Sequence, residues 1–94
     1  MNQKPVETIA AAGNTEIPCY LAIKSLGFDI SKAEVDTTLS AAQLWVAENS
    51  EFRFLASSHL ELLGLISMRK IRGQNWKAED REIDDYFEEH ESHS

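Results

Sequence analysis

One stretch, Ser57 to Trp76 (SSHLELLGLISMRKIRGQNW), constrains the fold more than any other. Ser57 or Ser58 can cap a helix start, and Glu61 follows Ser58 at capping-box spacing. Gly73 suits the position just past a helix end, because glycine enters the left-handed region without a steric penalty. Arg69, Lys70 and Arg72 crowd the last turn, where positive charge meets the negative end of the helix dipole. Both ends therefore predict one helix of about 14 residues, a common length.

At about 100° per residue, Leu60, Leu63, Met68 and Ile71 share one side of that helix, with Gly64 and Ser67 between them. Leu62 and Ile66 make a second strip, and Leu65 lies almost opposite the first. A surface helix needs one apolar stripe; this one is apolar nearly all round. It is expected at the centre of the domain, with a sheet on one side and helices or a second subunit on the other. Leu62, Leu65 and Ile66 are accordingly the candidate partner-binding positions on it.

The clearest β signal lies just before. LWVAE and EFRFLA flank Asn49-Ser50, a pair suited to a tight hairpin turn. A two-residue loop would pair Glu48 with Glu51, Ala47 with Phe52, Val46 with Arg53 and Trp45 with Phe54. Trp45, Ala47, Phe52 and Phe54 then share the face expected to meet the helix, and Leu44, Val46, Glu48, Glu51, Arg53 and Leu55 the other. Upstream, Pro5 at a first helical position with Val6, Ile9 and Ala10 suggests a short helix over about 5–12. Thr15 can cap a second helix over 16–26, with Pro18 tolerated in its first turn and Gly27-Phe28 closing it. A strand over 28–32 follows. The rival is a single long strand from Cys19, because apolar residues occupy both parities there. Residues 32–41 read as a loop with an extended piece near Val35. After Gly73, a last helix over about 78–90 carries a narrow stripe of Ile83, Tyr86, Phe87 and His90, and residues 90–94 are expected to fray. The whole reads as one α+β domain over 1–94: a small antiparallel sheet of about three strands, with a C-terminal hairpin, packed against helices.

Composition limits the function. The formal net charge of −7 argues against nucleic acid, whose binding draws chiefly on phosphate neutralisation. Apolar runs are far too short for a membrane span, and no basic stretch followed by an apolar one announces secretion. A lone cysteine, Cys19, suggests the reducing cytoplasm. The acid is concentrated at 79–91, where Glu79, Asp80, Glu82, Asp84, Asp85, Glu88, Glu89 and Glu91 face only Arg81.

Catalytic and metal constellations are not evident. His90 and His93 have a spacing that can reach one metal, but no further ligand lies near them in sequence. Cys19 has no neighbouring base and reads as a small buried hydrophobe. The four glycines are too scattered for a phosphate loop, and no Gly-x-Ser-x-Gly, paired CxxC or HExxH occurs. Arg69, Lys70 and Arg72 could hold an anion or the phosphate of a nucleotide; the simpler reading is that they complement the helix end and pair with the acids of the last helix. Trp76 reads as a plug between the last two helices or an exposed anchor for a partner. No cofactor and no metal are expected.

Between Trp45 and Ile83, the runs WVAEN, FLASS, LELLGLISMRKIRG, NW and EDREI resemble a small bacterial domain type found in uncharacterised proteins. The resemblance implies no activity and no functional residue. The expectation is a small cytoplasmic, non-enzymatic interaction or homodimerisation domain. Leu62, Leu65, Ile66 and Trp76, with the acids Glu82, Asp85 and Glu89, would bind the protein partner. The alternative is an acidic inhibitor of the immunity or antitoxin kind, acting on a basic protein.

Overall fold

The computed structural model describes residues 6–33 and 44–91. A 3₁₀ turn at Gly13–Thr15 leads into α1 (Glu16–Ser25), and β1 (Asp29–Ala33), β2 (Leu44–Glu48) and β3 (Arg53–Ala56) follow. The chain then enters α2 (His59–Arg72) and α3 (Asp80–Glu91). The strands form one antiparallel sheet in the order β1-β2-β3. The fold is α+β, as the sequence patterning implies. The hairpin closes the sheet but not the chain, since two helices come after it.

Around Cys19 the helix prevails over the strand. Leu26 and Gly27 send their N–H groups back to carbonyls of the last turn, and Gly27 sits at φ +92°, in the region that favours glycine. Phe28 then drops into the core. The short first helix is not formed: residues 6–12 carry no regular structure, while Pro5 lies outside the described residues. Val6 and Ile9 are exposed, so that segment has no packed face to offset the cost of helix nucleation. Of the expected loop at 32–41, Lys32 and Ala33 belong to β1, and the remainder, with Val35, lies outside the described residues.

The hairpin register is displaced by two residues from the expected one. Trp45 pairs with Ala56, Val46 with Leu55, Ala47 with Phe54 and Glu48 with Arg53. The cause is Asn49. Its Oδ1 accepts the N–H groups of Glu51 and Phe52 at 2.8 and 2.7 Å, and its own N–H donates to the Phe52 carbonyl at 3.0 Å. This Asx-type turn holds residues 49–52 as a four-residue loop and sets Glu48 opposite Arg53 instead of opposite Glu51. A shift of two preserves side-chain parity, so the aromatic face stays where the patterning put it.

That face meets α1 and α2. Ile23, Phe28, Ala47, Leu62 and Ile66 form the buried cluster, with Trp45, Phe52, Phe54 and Leu63 packed around it. Phe54 lies edge-on to Phe28, at 5.8 Å between ring centroids, and stacks with Phe52. The two helices run side by side in the same direction: Glu16 touches the start of α2, while Leu26 shares a hollow with Ile66, Arg69 and Lys70. The opposite face of the sheet carries Leu44, Val46, Leu55, Glu48 and Arg53, with Val46 buried.

Every early donor of α2 is satisfied. Ser58 Oγ accepts the Glu61 N–H at 3.1 Å, and the Ser58 carbonyl takes the Leu62 N–H. Glu61 reaches back to the N–H and hydroxyl of Ser57, a contact that lowers its pKa. The remaining two N–H groups, of His59 and Leu60, donate to the carboxylate of Glu16 at 2.8 and 3.2 Å. At the far end, Gly73 takes φ +82° and returns its N–H to Arg69.

Candidate functional site

Each of α1 and α2 sends apolar side chains into the core, although Ile17, Leu21 and Ile71 stay outside it; α3 contributes no buried residue. Its stripe of Ile83, Tyr86 and Phe87 is 40%, 57% and 51% exposed. Together with Met68 of α2 and with Trp76 and Ala78 of the connection, the stripe lines an open groove of about 500 Å³. Tyr86 stands edge-on to Phe87 and stacks on His90, whose ring nitrogen Nδ1 is 2.9 Å from the Tyr86 carbonyl.

Arg72 bridges the two walls of the groove. Its guanidinium makes a two-pronged pair with the Glu82 carboxylate at 2.9 and 3.1 Å, and it also donates to the carbonyls of Trp76 and Lys77. Glu82 in turn accepts the Glu79 N–H, closing the first turn of α3. The Arg72 hydrogen bonds, then that backbone bond, pull the Glu82 carboxyl down to about 2, and the same pair raises the Arg72 guanidinium. The side chains making this pair are themselves well exposed, so it serves as a tether between α2 and α3 more than as a source of stability.

The candidate partner residues therefore divide. Leu62 and Ile66 are 0% and 1% exposed and belong to the core, so they are unavailable to a partner. The wheel placed them on a strip of their own; that strip is the one facing the sheet and Ile23. Leu65 is half-buried. The outward side of α2 instead presents Leu60, Gly64 and Ile71, the last at 83% exposure. Trp76 lines the groove between the last two helices and remains accessible. Glu82 is engaged by Arg72, whereas Asp85 and Glu89 are exposed on α3.

Other places hold less chemistry. Cys19 is buried and lines an apolar hollow beside Pro18, Leu60 and Leu63. His59 is packed elsewhere, between Tyr20 and Trp45 with ring centroids at 5.4 and 4.5 Å, and its Nδ1 is buried with no hydrogen-bond partner. A second hollow, of about 210 Å³, lies between the hairpin loop and α2, where Arg69 covers the Phe52 ring at 5.0 Å. No group of three or more possible metal ligands occurs among the described residues, and His93 lies outside them. No helix among them is long and apolar enough to cross a membrane.

The class these observations define is a two-layer α+β domain with an appended amphipathic helix. No protein-family model matches the chain, and no curated protein or solved structure is significantly similar to it.

Proposed function

We propose that this chain is a non-enzymatic protein-interaction domain of the cytoplasm, docking through α3 and the groove beside it. The observation that carries the reading is the unpartnered stripe of Ile83, Tyr86 and Phe87. Amphipathic helices bury such stripes, and an isolated helix of 12 residues is marginal in water. The outward Ile71 and Leu60 extend the exposed apolar surface along α2. A second copy of the chain is one way to cover it. An acidic-inhibitor role is another, favoured by the seven carboxylates of α3 against the single Arg81.

Amide hydrogen exchange on the lone chain, with light scattering to fix its mass, tests the reading. The α3 amides should exchange far faster than those of α2 in a monomer and become protected only in a complex. Equal protection of α3 and α2 in a 10.6 kDa monomer would mean that α3 is already satisfied, and the reading fails.

A further inference from the structure

We infer that the groove takes a basic amphipathic helix from a different protein, an inference that rests on the interaction-domain reading above. The charge around the stripe identifies the occupant. On the α3 wheel, Asp80 and Asp84 border one side of Ile83, Tyr86 and Phe87, and Glu82 and Glu89 border the other. Arg72 and Glu82 cancel one another, and Lys77 stands over the Trp76 ring at 5.7 Å, at the connection end of the groove. The uncancelled rim charges along α3 are therefore the carboxylates of Asp80 and Asp84 on one side and Glu89 on the other.

A helix laid along the stripe would place its flanking residues against those rims, as e and g positions do in coiled coils. Lysine or arginine there is attracted; aspartate or glutamate is repelled. A second copy of α3 is thus a poor occupant, because it would oppose seven carboxylates with seven more. Its 12 residues span about 18 Å, enough for a partner helix of similar length to place three or four apolar anchors. Tyr86, Phe87 and Trp76 supply the aromatic contacts that dominate such interfaces, while the acidic rims steer approach and set specificity.

The test uses the full chain and two fluorescein-labelled synthetic helices of about 14 residues, a span matched to α3. They share one leucine stripe, flanked by lysines in one and by glutamates in the other. In anisotropy titrations the lysine-flanked peptide should bind and the glutamate-flanked one should not. Phe87→Ala, which keeps helix propensity, should weaken binding by about tenfold or more. Asp84→Asn with Glu89→Gln should lower affinity by roughly threefold to tenfold and flatten its salt dependence.

Equal binding of both peptides overturns the inference, as does lysine-peptide binding that Phe87→Ala and Tyr86→Ala leave unchanged. Binding of neither peptide overturns it too, and light scattering then locates the failure. A wild-type dimer that Phe87→Ala dissolves makes the occupant a second copy and keeps the interaction reading. A monomer whose α3 exchanges as slowly as α2 removes both.

Discussion

Glu16 begins α1, yet both of its carboxylate oxygens serve α2, taking the two N–H groups that Ser58 does not reach. The anion sits at the positive end of the α2 dipole, so hydrogen bonding and electrostatics act together. Glu16→Ala should lower stability by about 1–2 kcal/mol in urea denaturation; an unchanged midpoint would rule the cap out. His59 presents the opposite situation. Its Nδ1 is buried without a partner, a defect that costs about 1–3 kcal/mol where it occurs. His59→Phe keeps an aromatic ring between Tyr20 and Trp45 and removes that nitrogen, so thermal stability should hold or rise. A clear fall would show that the nitrogen has a partner. Ser58, Glu61 and Gly73 were readable in the sequence because a cap is a local device. Glu16 was not, since its partner lies 43 residues away and nothing near it hints at the contact. Asn49 lies between the two: its identity marks a turn, but the choice between a two- and a four-residue loop depends on what its side chain accepts.

Among the elements, the helices with strong termini and the strands with clear alternation were legible, and the faces of the hairpin survived a wrong register because parity did. What the patterning could not say was which side of α2 is inner. Leu62 and Ile66 form a shorter strip than Leu60, Leu63, Met68 and Ile71, but the sheet chose the former. The difference is made by α1 and the sheet, whose placement is a tertiary fact. For α3 the stripe was plain and its lack of cover was not. Its tether makes a pH prediction. The folded pKa of Glu82 is depressed from 4.5 to about 2, so the contribution of the Arg72 pair is fully present above 4.5 and lost as pH falls through about 2. The Glu82 carboxyl resonance should therefore titrate near 2, with α3 loosening in the same window. Arg72→Ala should return the midpoint toward the ordinary carboxylate range; a midpoint already there in the wild type would deny the pair in solution.

In the molecule as a whole, the buried cluster and the acidic charge occupy different parts. The core is Ile23, Phe28, Ala47, Leu62 and Ile66, while α3 contributes seven of the sixteen carboxylates and none of the buried residues. Substitutions should divide in the same way. Leu62→Ala should cost about 2–5 kcal/mol in global unfolding, whereas Ile71→Ser should stay within about 0.5 kcal/mol. Comparable losses from the two would place Ile71 under a cover of its own. The bond from Glu16 to the start of α2 also has a kinetic meaning. It closes a chain loop that contains all three strands, and the entropy cost of closing so long a loop leads us to expect that it forms late in folding. Such a contact is absent from an early transition state, and its removal should speed unfolding while leaving the folding limb of the chevron in place. A Glu16→Ala chain that folded more slowly would instead put the pairing of the two helix starts into the nucleus. With the folding rate unchanged, that carboxylate is a latch: it decides how long the domain stays shut, not how quickly it is made.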